Sequence, residues 1–130
     1  MQVETAKKWM VLFNQKIQDN KDYLSELDTP IGDGDHGGNM SRGMAAVVDE
    51  IGEKEYESTS ELFKAVAMQL LSKVGGASGP LYGSAFMGIS KSEQDRGSLS
   101  DDVKAGLEMI KSEVRQKLAK KQWLMFGNLY

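Results

Sequence analysis

Three aspartates, Asp28, Asp33 and Asp35, share the stretch LDTPIGDGDHGGNM (27–40) with the chain's single histidine, His36, and four glycines. Carboxylates brought together without a cation repel, so they either splay into water or take up protons. A hard divalent ion reverses the balance, and an all-oxygen ligand set suits Mg²⁺ or Ca²⁺. The glycines let the backbone fold tightly enough to turn the three acids inward, and Asp33 and Asp35, two apart, share one side of an extended or tightly turned segment. An acidic surface turn has the same composition, because Asp and Gly are ordinary turn residues. An EF-hand fails: with Asp33 at position 1, Gly38 falls at position 6, but Met44 stands where a bidentate Glu is required. Mg²⁺ is the better fit of the two ions, because it keeps waters and is shared with substrate phosphates. As the only histidine, His36 cannot belong to a multi-histidine site; a capping or hydrogen-bonding role in the turn is the alternative. The following GGNM opens a helix, whose exposed N–H groups, with Asn39, can cradle a phosphate.

A second small-residue loop, VGGASGPLYG (74–83), also runs into a helix start. Ala77 and Ser78 would let a base or a phosphate approach the backbone closely. A helix stop followed by a helix start accounts for the same residues. Neither a P-loop nor a protein-kinase glycine loop is present in the sequence.

Amphipathic helices must position these loops. Trp9, Met10, Phe13, Ile17 and Leu24 recur at helical spacing, predicting a first helix over 3–27. Pro30 and the glycines to Gly38 predict an interruption, with a second helix from near Met40. Ser58 and Glu61 form a capping-box pattern ahead of a third helix, which Gly75-Gly76 ends. Pro80 suits the first turn of a fourth, whose Gly83 and Gly88 predict close packing. Ser100 is expected to cap a fifth, with Asp101 and Asp102 in its first turn. Leu99, Val103, Leu107, Ile110 and Val114 are expected as its buried stripe, and the eight methionines as core filling. No segment alternates like a strand, so the expectation is an all-α, antiparallel amphipathic helix bundle.

With 130 residues the chain suits a single domain. A net charge of −3 gives no electrostatic case for nucleic acid. The absence of cysteine excludes a disulfide framework and thiolate chemistry. Charge interrupts every apolar run near the N-terminus, so neither a signal peptide nor a membrane span is expected there. A cytoplasmic protein with no membrane partner is the default.

Taken together, LDTPIGDGDHGGNMSRG and GGASGPLYG resemble the dihydroxyacetone kinase L subunit family over about residues 5 to 113. The resemblance implies an incomplete version of that family's eight-helix barrel, with nucleotide and Mg²⁺ at one end. Asp28, Asp33 and Asp35 would hold Mg²⁺. His36, Gly37, Gly38 and Asn39 would line the phosphate side, and Ala77 and Ser78 would contact ADP or ATP. No residue is assigned a covalent catalytic role, since phosphoryl transfer rests on positioning and charge neutralisation. The implied partners are a K subunit holding dihydroxyacetone and, in phosphotransferase-system versions, a phosphocarrier M subunit. The related fatty acid kinase domains have D-G-D-T-G where this chain has DGDHG, so His36 favours the dihydroxyacetone branch. The alternatives are a fatty acid kinase domain or a non-catalytic helical interaction module.

Residues 114–130 depart from that resemblance. The family continues with R-G-K-A-x-x-G-[DE]-K-T-M-x-D-x-W, whereas this chain reads VRQKLAKKQWLMFGNLY. Lys120–Leu129 can be encoded so that a shifted frame reads K-T-M-V-D-V-W-E-P, so the tail is expected to be frameshifted and the domain, residues 1–113, incomplete. The expected consequences are impaired activity, a terminal apolar cluster of Trp123, Leu124, Met125 and Phe126, and homo-oligomers formed through an exposed apolar face.

Overall fold

The computed structural model describes the backbone of residues 1–126 and the side chains of residues 1–120. Five helices follow one another: α1 (Val3–Asp28), α2 (His36–Glu53), α3 (Thr59–Lys73), α4 (Ser78–Gln94) and α5 (Leu99–Phe126). No strand occurs among the described residues, and the chain is an all-α bundle. Each helix packs chiefly against its chain neighbours, and the short connections make those neighbours antiparallel. The loop after α1 and the loop after α3 therefore lie at the same end. No described helix is long and apolar enough to cross a membrane.

The core explains why α1 to α4 hold together. Met10, Met40, Met44, Leu62, Phe63, Val66 and Leu70 are fully buried. Trp9 of α1 reaches across to Phe63 of α3 and Phe86 of α4, with ring centroids at 5.6 and 5.8 Å. Gly83 and Gly88 bring α4 close to its neighbours, as expected. A Cβ on Gly83 would lie 2.5 Å from Leu71 Cγ, and one on Gly88 2.7 Å from the Ala105 carbonyl oxygen. The cap of α3 also forms as expected, the Glu61 N–H donating to Ser58 Oγ at 3.2 Å. The Glu61 carboxylate reaches back to the Glu57 N–H at 3.2 Å.

Four expectations are corrected. The second helix starts at His36, because Gly37 and Gly38 fit a first turn pressed against α1. Ser98, not Ser100, caps α5: its Oγ accepts from the Asp101 N–H, while Asp101 Oδ2 accepts from the Ser98 N–H at 2.8 Å. The stripe Leu99, Val103, Leu107 and Val114 is exposed, and Ile110 is only half-buried. Helix α5 instead faces α4 with Asp102, Ala105 and Gly106, whose small size at 105 and 106 permits close approach, and no described helix covers the stripe. Of the methionines, Met10, Met40 and Met44 fill the core, whereas Met1, Met68 and Met109 are exposed. The expected Trp123–Phe126 cluster falls outside the described side chains.

Burial predicts opposite outcomes for two apolar positions. Phe63→Ala should destabilise the fold by about 3–5 kcal/mol, whereas Leu107→Gln should change stability by no more than about 0.5 kcal/mol. Urea unfolding of the two variants checks both.

Asp102 is 2% exposed, and neither carboxylate oxygen has a hydrogen-bond partner among the described residues. Burial pushes its carboxyl above the usual range; nearby Ser92 opposes this and Glu93 adds to it. The folded state thus holds the Asp102 proton more tightly than the unfolded state does, and stability falls as pH rises through the folded-state titration. Asp102→Asn cannot ionise, so it should melt above the wild type at pH 7. That advantage should shrink towards zero below the ordinary aspartate range near ~3.9, as thermal melts across pH would show.

Candidate functional site

Asp28 is the last residue of α1, and its side chain organises the loop that follows. Its Oδ2 accepts from the Gly34 N–H at 3.1 Å and the Asp35 N–H at 3.2 Å. Its carbonyl accepts from Gly32 N–H at 2.7 Å, closing a tight turn. Gly34 has φ +74°, a left-handed conformation that favours glycine. A Cβ on Gly32 would lie 2.2 Å from Asp28 Oδ1, so the backbone folds directly over that carboxylate. The result brings Asp28, Asp33 and Asp35 together, with one ligand oxygen of each within 4.8 Å of the others. Asp28 is half-buried, while Asp33 and Asp35 face solvent.

The same loop fixes the start of α2. A Cβ on Gly37 would lie 1.7 Å from the Lys21 carbonyl oxygen, so only glycine lets α2 pass this close to α1. Ser25 Oγ on α1 accepts from the Gly37 N–H at 3.0 Å. Opposite, Gly76 turns the second loop with φ +66°. Ser78 Oγ hydrogen-bonds His36 Nδ1 at 2.9 Å, which ties the two loops together. A cleft of about 390 Å³ lies between them. One wall is Asp28, Asp33 and Asp35, another His36 and Asn39, and the floor is Gly75 to Ser78. A groove of similar size between α4 and α5, about 400 Å³, gathers no such acid set.

Seven of the nine sequence-predicted site residues therefore line one cleft. Gly37 is buried against α1, and Gly38 lies near Arg42, its would-be Cβ 3.6 Å from Nη1; neither lines the cleft. The sequence reading missed Ser25, which anchors α2, and the lining role of Gly32, Gly75 and Gly76. It also missed Arg42, which donates to Asn39 Oδ1. The one available signal for Arg42 was its spacing of one helical turn from Asn39.

The acid set fits a divalent cation by its donor chemistry and its electrostatics. A hydrogen bond shared with Asp35 lifts the Asp33 carboxyl above the usual carboxylate range, and burial adds to this. The same bond, followed by help from Asn39 and Arg42, holds the Asp35 carboxyl below that range. The close acids are short of positive charge, and an ion of charge +2 supplies it. Protons should therefore compete with Mn²⁺ or Mg²⁺, with affinity declining from above the ordinary aspartate pKa near ~3.9 as pH is lowered. Metal titrations across a pH series measure this decline. Asp33→Asn should flatten it while weakening binding.

Residues 30–123 match the DAK2 domain. The chain is 50% identical over 130 residues to the PTS-dependent dihydroxyacetone kinase, ADP-binding subunit DhaL, of Lactococcus lactis, covering 97% of this chain and 68% of that protein. It is 42% identical over 120 residues to the PEP-dependent dihydroxyacetone kinase 1, ADP-binding subunit DhaL, of Listeria innocua, spanning 61% of its length. The Escherichia coli PEP-dependent counterpart is 39% identical over 92 residues, 44% of its length.

Proposed function

This chain belongs to the DAK2 domain family, and on that premise we propose that it is the Mg–ADP-holding subunit of a dihydroxyacetone kinase. The observation that carries the reading is the cleft itself. Three carboxylates stand on one side, a loop of small residues on the other, and a His36–Ser78 hydrogen bond joins them, in a chain 50% identical to an ADP-binding subunit.

Asp28, Asp33 and Asp35 are the residues that would hold Mg²⁺. When bound, the ion neutralises phosphate charge and polarises the bonds to the phosphoryl group in flight. The chain's own contribution is position. The start of α2, where His36 lines the cleft, turns the positive end of a helix dipole towards an anion. The bond from Ser78 fixes the His36 ring, and the near absence of side chains from Gly75 to Ala77 leaves room for a nucleotide against the backbone. The phosphoryl acceptor is dihydroxyacetone held on a K subunit. A phosphocarrier M subunit recharges ADP in place, consistent with the PTS- and PEP-dependent names of the relatives. Cytoplasm is the compartment where such an assembly meets its phosphoryl donor.

Calorimetric titration with ADP and ATP, with and without Mg²⁺, tests the proposal. Mg²⁺ should raise ADP affinity by at least about tenfold. The double variant Asp33→Asn, Asp35→Asn should lose that enhancement while keeping its helical circular dichroism. Equal affinity in Mg²⁺ and in chelator would overturn the reading.

A further inference from the structure

Arg42 sits one turn along α2 from Asn39 and donates from Nη2 to Asn39 Oδ1. Asn39 is 7% exposed and stands where the two halves of the cleft meet. A Cβ on Gly75 would lie 3.2 Å from its Oδ1 and 3.5 Å from its Nδ2, so the second loop rests on the amide. On the other side, Asn39 lines the cleft together with Asp35, and its side chain helps hold the Asp35 carboxyl below the usual range. Arg42 is exposed and does not line the cleft.

An asparagine amide is nearly symmetric in shape but opposite in chemistry at its two ends, an acceptor oxygen and a donor NH₂. Its neighbours decide which end faces which way. Guanidinium has donors only, so it captures the oxygen and leaves both amino hydrogens for other partners. With the amide reversed, its oxygen would confront the Asp35 carboxylate and any phosphate.

We propose that Arg42 is a positioning residue of the nucleotide cleft: by holding Asn39 Oδ1 it presents the Asn39 amino group to anionic oxygens, those of Asp35 and of a bound nucleoside diphosphate. Arg42 acts through Asn39 and does not itself touch the ligand. The inference about the ligand rests on reading the cleft as a Mg–nucleotide site. The inference about the amide does not.

Two measurements separate these parts. In the ligand-free protein, the side-chain NH₂ resonances of Asn39, assigned by their loss in Asn39→Ala, should shift in Arg42→Met. They should move back towards wild-type positions in Arg42→Lys, which keeps a donor. In calorimetry with Mg–ADP, Arg42→Met and Asn39→Ala should each weaken binding by about tenfold, and the double variant should bind no more weakly than either single one. Asn39 resonances that ignore Arg42→Met would overturn the proposal. So would losses that multiply in the double variant, because Arg42 would then act on the ligand directly. A wild-type protein that binds no Mg–ADP would refute the nucleotide reading, while the ligand-free spectra still decide whether Arg42 orients Asn39.

Discussion

Three carboxylates held within 4.8 Å of one another repel, and much of the local structure at this end of the bundle exists to keep them there. Asp28 is held by two backbone N–H donors from the loop it begins. Those bonds fold the loop back over the acid that anchors it. Asp33 and Asp35, exposed at the loop's tip, act on each other in opposite senses, the Asp33 carboxyl raised and the Asp35 carboxyl lowered from the usual carboxylate range. The arrangement is complete in shape and deficient in positive charge, which is the condition a divalent cation relieves.

That loop could not sit where it does without close helix packing beneath it. Gly37 lets α2 start against the α1 backbone, and Ser25 satisfies the N–H that this contact would otherwise leave unpaired. The antiparallel order of the helices then places the turn after α3 beside the turn after α1. Ser78 and His36, 42 positions apart in the chain, meet as a consequence. The cleft is thus a product of bundle topology, and its glycines serve close approach more than flexibility.

Much of this was legible in the sequence, and the errors have physical causes. Helical spacing placed α1 and α3, and the Ser58–Glu61 pattern marked a cap that forms. Small residues at 83 and 88 foretold tight packing because a missing side chain has no other common use inside a helix. The α5 stripe departs from expectation because periodicity shows that a helix has an apolar face, without showing which face meets a neighbour. In α5 the contact runs through Asp102, Ala105 and Gly106, where small size outweighs hydrophobicity. Helix α2 starts earlier than its sequence suggests because Gly37 and Gly38 disfavour a helix locally, a penalty overridden by packing on α1.

By itself the sequence determined an all-helical chain and singled out the acids and small residues of its two loops, because composition, spacing and capping are local properties. Tertiary structure alone decided that the two loops share one cleft, that Gly37 and Gly38 lie outside it, and that Arg42 and Ser25 support it from behind. It also decided which flank of α5 is buried. Those outcomes depend on how closely one backbone approaches another, a distance set by every side chain between them and written in no single stretch of the chain.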